Sequence, residues 1–356
     1  MKNVFELIQL FKQFISDSES GKRLKKDGSK IRKGTIDQYK VVLGEIIRFQ
    51  EKEGIRLRIF SLIRSNKRVL KSERLYWNRF YKKYSTHLYS SGCFDNYVGL
   101  HFKIIKTFFN YLNTEKLIFT GNFQKNFYVR KESVPIIVIS PEQLQFLIHD
   151  IEFETSLPLY LQYTKDTFVF GCTVGLRFSD LMSLTKTNVE CTSLSYYLNV
   201  RSGKTSVDTR IKLPEYAVAI LKKYRGRKQL LPQVSNNRLN ENIKELCLKA
   251  GWCQEVGKKR EKHGIIKNLN KNGKAYRFCD LVSTHTMRRT AITTLLSLGM
   301  PETMVRKISG HAANSPEFYR YVNYAQQFID AELDRIYQEI LPSKNSPEIA
   351  KTTHSN

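Results

Sequence analysis

Eight side chains between residues 177 and 324 could do chemistry together: Arg177 in "GLRFSDL", Lys204 in "SGKT", His285 and Arg288 in "STHTMRRT", His311 in "SGH", and Tyr319, Tyr321 and Tyr324 within thirteen residues of that histidine. Guanidiniums, an ammonium and imidazoles gathered at one place suit a phosphodiester under in-line attack, whose transition state spreads negative charge over its equatorial oxygens. Arginine is the residue for this task, because its planar fork contacts two phosphate oxygens at once and lysine cannot replace it. A phenol, with a pKa of about 10, attacks poorly when free and needs a proton acceptor and positive charge beside it. A covalent phosphotyrosine would keep the bond energy for rejoining without ATP.

Spacing supports part of this set. In "STHTMRRTAITTLLSLGMPE", Ser283 or Thr284 caps a helix that Gly299 stops, and Pro301 begins the next. His285 and Arg288 then lie one turn apart on one face of the helix at its amino end, where free N–H groups and the dipole already favour an anion. No metal cofactor is indicated. The six cysteines form no C-x-x-C pair, and Cys247 and Cys253 have no histidine at ligand spacing. A metal-dependent nuclease would need clustered Asp and Glu, whereas this region offers Asp180 and scattered acids.

The chain as a whole fits a polyanionic partner. Its 356 residues carry 59 Lys and Arg against 33 Asp and Glu, a net charge of +26 spread along the sequence, so nucleic acid is the expected partner. No apolar run approaches the roughly 20 residues of a membrane span, and no secretory signal precedes the cysteines, which read as reduced thiols in a soluble cytoplasmic protein.

Two blocks must position these groups. Apolar periodicity predicts a helix from Val4 to Ile15, a basic loop "SGKRLKKDGSKIRKG", a second helix capped by Thr35 and stopped by Gly54, and two more amphipathic helices, ending an all-α block near residue 120. Residues 121–139 lack helical period, carry Pro135 and read as a linker. The second block opens with Ser140 as cap and Pro141 at the first helical position. "SYYLNVRSGKTSVDTRIKLP" alternates about "SGKT" as a hairpin, and "VGKKREKHGIIKNLNKNGKAYRFCDL" reads as a basic insertion with an Asn-Gly turn, itself a candidate hairpin. The tail "SKNSPEIAKTTHSN" has a disordered composition. The fold class is therefore mainly α with a small antiparallel β element, in two domains.

Arg, Lys, His, Arg, His and Tyr in this order, on a basic chain with a helical amino-terminal block, resemble the tyrosine recombinase (phage integrase) family. The resemblance by motif covers about residues 140–335. It implies a helical core-binding domain over 1–120, a linker over 121–139, a mixed catalytic domain over 140–335 and a tail over 336–356. It implies that Arg177 and Arg288 clamp the scissile phosphate, and that His285 accepts or relays the nucleophile's proton. His311 would bond a non-bridging oxygen or the attacking group, Lys204 at the hairpin tip would protonate the leaving 5′-oxygen, and Asp180 would orient the others. The family's usual nucleophile lies nine residues after the last histidine, which here is Arg320. A one-residue insertion at "ANSP" places Tyr321 in that slot, with Tyr319 as the alternative; on a helix the two lie about 200° apart, so only one can face a phosphate.

The implied activity is site-specific recombination through a 3′-phosphotyrosyl intermediate, by an integrase of a mobile element acting without cofactor. The implied partners are double-stranded DNA, three further copies in a tetramer on two duplexes, and accessory DNA-bending or excision factors, in a bacterial cytoplasm at the nucleoid. A helix over "AQQFIDAELDRIYQEIL" would dock on a neighbouring protomer. A type IB topoisomerase shares the constellation, and a non-catalytic DNA-binding relative would carry a lesion in it, of which the sequence shows none apart from the tyrosine register.

Overall fold

The computed structural model describes residues 4–203, 205–311 and 315–340. The chain divides into two compact units, one of Met1–Val134 with Lys258–Leu269 and one of Pro135–Gly257 with Asn270–Asn356.

In the first unit, β1 (Val4–Glu6) pairs antiparallel with β2 (Arg58–Phe60), and the helices α1 (Leu7–Glu19), α2 (Lys33–Glu53), α3 (Lys67–Ser90) and α4 (Asp95–Thr114) surround an aromatic core. Phe11 meets Phe108 at 4.6 Å between ring centroids, and Trp77 meets Phe109 edge-on at 4.7 Å, an arrangement that suits ring quadrupoles. The basic loop after α1 is not uniformly a cationic surface. Arg23 turns inward over the Phe14 ring, 4.6 Å from its centroid, and its Nε donates to Glu115 at 3.3 Å. Its neighbours Lys22, Lys25, Lys26 and Lys30 stay exposed on a short ribbon whose turn is held by the Asp27 carboxylate, acceptor from the Ser29 N–H at 2.9 Å.

The basic insertion does form a hairpin, but it belongs to the first unit and not to the block that surrounds it in sequence. β6 (Lys258–Lys262) and β7 (Ile265–Lys271) pair across a two-residue turn in which His263 and Gly264 both take positive φ, 59° and 75°, the geometry that matches strand twist. Two buried acids of the helical block grip this hairpin. The Asp95 carboxylate accepts from the His263 and Gly264 N–H groups at 2.9 and 2.7 Å, and Glu132 accepts from Arg260 Nη2 and from the Glu261 N–H, both at 2.6 Å. Hydrophobic periodicity gives no sign of this docking, because it rests on carboxylate-to-backbone bonds.

The second unit is built on α7 (Leu159–Val174), buried on almost every face, with α5 (Pro141–His149), α6 (Ile151–Ser156) and α8 (Phe178–Met182) flanking it in sequence. A three-stranded antiparallel meander follows: β3 (Val189–Cys191), β4 (Tyr196–Arg201) and β5 (Asp208–Leu213), with Leu198 opposite Ile211. Then come α9 (Glu215–Lys223), α10 (Asn236–Lys249), the two-residue β8 (Lys274–Ala275), α11 (Phe278–Leu281), α12 (Thr284–Ser297), α13 (Glu302–Ser309) and α14 (Pro316–Ile340). Asn272 and Gly273 make the turn before β8 with φ of 53° and 77°, as an Asn-Gly pair favours. α12 packs on both α7 and α14.

Several boundaries differ from those the sequence suggests. Val4–Glu6 is a strand because β2 offers it a ladder, so the first helix starts at Leu7. α2 begins at Lys33 with Arg32 at its cap position, leaving Thr35 inside the first turn. Residues 121–134 group with the first unit, where Phe127 joins the aromatic core and Phe123–Asn126 form a 3₁₀ turn. The last helix carries on through residues 336–340, expected as tail, while the expected disordered stretch from 343 onward lies outside the described residues. Ser140 caps α5 as expected, accepting from the Gln143 N–H at 3.2 Å with Pro141 in the first turn.

Candidate active site

The site begins where α7 ends. Gly175 takes φ +65°, and a Cβ there would stand 3.0 Å from Ala291 on α12, so the residue both turns the chain and lets the two helices close. Its carbonyl, at the carboxyl end of α7, accepts from Arg288 Nη1 at 3.0 Å, a favourable place for a cation. Arg177, two residues on, precedes α8 and donates through Nη1 to Ser202 Oγ at 2.8 Å. The Ser202 hydroxyl donates in turn to Asp180 Oδ2 at 3.3 Å. Arg177, Ser202 and Asp180 thus form one chain of hydrogen bonds that ties α8 to the β4–β5 tip.

Lys204, at that tip, lies outside the described residues. Both of its flanks are fastened. Before it, the Gly203 N–H donates to Asp180 Oδ1 at 3.2 Å; after it, Thr205 Oγ1 donates to the Gly310 carbonyl at 2.9 Å. Gly310 in turn, with φ +62°, ends α13 and swings His311 back so that its N–H reaches the Arg306 carbonyl at 3.0 Å.

α12 brings His285 and Arg288 to the same end of the unit, as the H-x-x-R spacing predicts. Ser283 precedes it in extended conformation, and the Thr284 N–H and hydroxyl donate to the Asn240 and Asn236 side chains of α10 at 2.8 and 2.9 Å. His285 is exposed, whereas Arg288 is 4% exposed. Burial lowers the Arg288 pKa to about 10, with the neighbouring Arg177 charge acting the same way against smaller opposing effects of Tyr321 and Asp180. The guanidinium stays charged at neutral pH, held close to a like charge.

His311 completes the group. Arg288 Nη2 stands 3.1 Å from both of its ring nitrogens, and Ser309 Oγ lies 2.8 Å from Nδ1. The serine's single proton goes to the Val305 carbonyl at 2.6 Å. Ser309 therefore accepts from Nδ1–H.

The family model described as "Phage integrase family" matches residues 138–327. The chain belongs to that family. No curated protein matches it by sequence. Among solved structures it is similar to a lambda integrase tetramer bound to a Holliday junction, with 13% identity over 90% of this chain and 78% of that one and a TM-score of 0.56. It is also similar to the Tn1549 transposon integrase in complex with circular intermediate DNA (16% identity, 89% of this chain, 95% of that one, TM-score 0.55). A third is the XerH site-specific recombinase bound to palindromic difH substrate (12% identity, 93% and 96%, TM-score 0.55). At these identities the likeness is one of fold, and it is the tyrosine recombinase fold.

In this phage integrase family member the three tyrosines of α14 meet different surroundings. Tyr321 turns to the site: its ring centroid is 5.9 Å from that of His311, and its phenol is close enough to Arg288 to act on its charge. Tyr319 is exposed on another face, with the Arg306 guanidinium 4.8 Å from its ring centroid. Tyr324 is half-buried in a groove with Ile139, Thr293 and Ser297, where burial raises its pKa. The position nine residues after His311, Arg320, is exposed. Ser202, Thr205, Ser309, Asn236 and Asn240 are the site residues that the sequence reading missed; Ser202, Thr205 and Ser309 sit inside the quoted "SGKT" and "SGH" motifs, so their neighbours were the available signal. Among the described residues there is no group of His, Cys, Asp and Glu that could hold a metal ion.

Proposed function

We propose that this chain cuts and rejoins duplex DNA at specific sites, as a tyrosine recombinase, with Tyr321 as the nucleophile. The phenol oxygen attacks the scissile phosphorus, the 5′-oxygen of the next nucleotide leaves, and the protein holds the 3′-phosphate as a phosphotyrosine. The reverse step, with a 5′-hydroxyl from another strand, rejoins DNA and frees the tyrosine. Arg177 and Arg288 hold the non-bridging oxygens of the phosphate as charged donors, Arg288 from a buried place and Arg177 from a partly exposed one. His285 takes the phenol proton, His311 with protons on both ring nitrogens donates Nε2–H to a phosphate oxygen while Nδ1–H stays on Ser309, and Lys204 gives a proton to the leaving oxygen. Asp180 positions Arg177 and the hairpin tip through Ser202.

The observation that carries this reading is the sorting of the tyrosines: Tyr321 is beside His311 and within reach of the Arg288 charge, while Tyr319 sits over Arg306. Lambda integrase adopts a similar fold as a tetramer on a Holliday junction, which supports a tetramer of this chain on two duplexes. An integrase of a mobile element, assisted by DNA-bending or excision factors in a bacterial cytoplasm, is the setting the motifs favour. No described helix is long and apolar enough to cross a membrane.

The test is a nicked suicide substrate carrying the ends of the protein's own element, incubated in EDTA and resolved on a denaturing gel. A covalent protein–DNA band that survives in Tyr319→Phe and disappears in Tyr321→Phe is the expected result. Loss in Tyr319→Phe alone would keep the chemistry and move the nucleophile. DNA binding without any adduct would favour a non-catalytic role.

A further inference from the structure

The described cysteines are free thiols, yet two of them face each other in a geometry suited to a bond. After α10 the chain runs through Cys253 into a short antiparallel ribbon with the segment that leads to α11. Glu255 bridges Arg277, the Val256 N–H donates to the Tyr276 carbonyl at 2.6 Å, and the Phe278 N–H donates to the Gln254 carbonyl at 2.8 Å. Cys279 then falls in α11, where its N–H donates to the Trp252 carbonyl at 3.1 Å, beside Cys253. The two Sγ atoms are 4.0 Å apart, so side-chain rotation alone closes most of the remaining gap.

We propose that Cys253 and Cys279 are a built site for reversible disulfide formation with a low-molecular-weight disulfide such as oxidised glutathione. Cys253 is the entry point, being half-buried while Cys279 is 2% exposed. Its thiolate attacks the glutathione disulfide, forming a mixed disulfide and releasing one glutathione thiol. The Cys279 thiolate then attacks the Cys253 sulfur, forming the internal bond and releasing the second thiol; the protein loses two hydrogens and one disulfide becomes two thiols. Cys247, close to both, is fully buried on α10, and burial pushes its thiol up as it does that of Cys279, so the choice of Cys279 as partner rests on the 4.0 Å approach of its sulfur to that of Cys253. The loop so closed carries the β6–β7 hairpin. Oxidation would therefore staple the root of the segment that the second unit lends to the first, just before α11 and α12. This inference does not depend on the recombinase chemistry.

The experiment treats the reduced full-length protein with oxidised glutathione, blocks free thiols with iodoacetamide and maps peptides by mass without reduction. The expected product joins the Cys253 and Cys279 peptides, two hydrogens lighter, and is reversed by dithiothreitol, while the exposed Cys191 carries glutathione. The oxidised protein should melt roughly 5 °C higher than the reduced one. In Cys253→Ser, whose reduced form should melt like the reduced parent, Cys279 should stay unmodified. Glutathione persisting on Cys253 beside a free Cys279, or a Cys253–Cys247 bond, would overturn the proposal, as would a lower melting temperature on oxidation.

Discussion

The molecule holds two clusters of buried charge that are built on opposite plans. In the first unit Asp95 and Glu132 are surrounded by donors from the hairpin, three backbone N–H groups and the Arg260 guanidinium. In the second unit Arg288 is buried beside a like charge, Arg177, which helps burial to depress its pKa to about 10. The first cluster stabilises the fold it belongs to, since each carboxylate is matched by the chain itself. The second works against the fold. Below pH 10 Arg288 carries its proton in a place that disfavours it, at a cost of about 3 kcal/mol on the scale of 1.36 kcal/mol per pKa unit; a phosphate bound between the two guanidiniums would remove that cost. A cluster that stabilises only when an anion arrives is what a phosphate-transfer site needs.

The comparison breaks most sharply at the cationic cluster. Tyr321→Phe should abolish the covalent adduct while leaving DNA binding intact, since it removes only the attacking oxygen. Arg288→Gln should lower the rate of cleavage by about 10²–10³ without lowering the melting temperature, because the loss of the hydrogen bond to Gly175 is offset by relief from the buried charge. A marked fall in melting temperature would mean that Arg288 is structural and that the two clusters are alike after all.

The anionic cluster should answer in the opposite way. Asp95→Ala leaves the His263 and Gly264 N–H groups without their acceptor, and should cost about 2–4 kcal/mol. Urea unfolding would measure that loss, and faster amide exchange across residues 258–269 would locate it. Acid should do the same more gently. Burial tends to raise the Glu132 pKa, but the hydrogen bonds and charge of Arg260 outweigh it and hold the value below the usual 4.5. A carboxylate with a depressed folded-state pKa gives stability that is present above pH 4.5 and lost as pH falls through the folded value. Hairpin protection should therefore persist at pH 5 and decline below pH 4, and a decline already at pH 6 would point to another group.

How much of each cluster was legible in the sequence follows from the same contrast. The cationic site could be read because its members are rare types at set spacings: H-x-x-R fixes a helix face, and a lysine between glycine and threonine marks a hairpin tip. Which tyrosine faces it was left to a choice of register, since Tyr319 and Tyr321 differ only in which side of α14 they occupy. The anionic cluster left no trace. Asp95 reads as a helix-start acid and Glu132 as a linker residue, and their partners, all more than 120 positions away, are three backbone N–H groups with no side-chain signature and one arginine among the many cations of the basic insertion. Val4–Glu6 escaped for a similar reason, since a three-residue strand is decided by the ladder β2 offers and not by its own pattern.

The smallest expected effect tests whether the cationic cluster owes its geometry to the neutral hydroxyls around it. Thr205 Oγ1 donates to the Gly310 carbonyl, and Gly310 is the residue before His311. Thr205→Val keeps the shape and removes the donor, so the hairpin tip bearing Lys204 loses its bond to the α13 turn while the Asp180 side stays fastened. Cleavage should fall by about tenfold, the scale of one neutral hydrogen bond, with DNA affinity and its salt dependence unchanged, because no cation has been touched. A leaving group that needs no proton separates positioning from folding: a substrate with a 5′-bridging sulfur in place of oxygen should restore most of the rate in Thr205→Val if the bond serves to aim Lys204. Equal losses on both substrates would mean that Thr205 acts instead through His311, the ring that Arg288 and Ser309 hold.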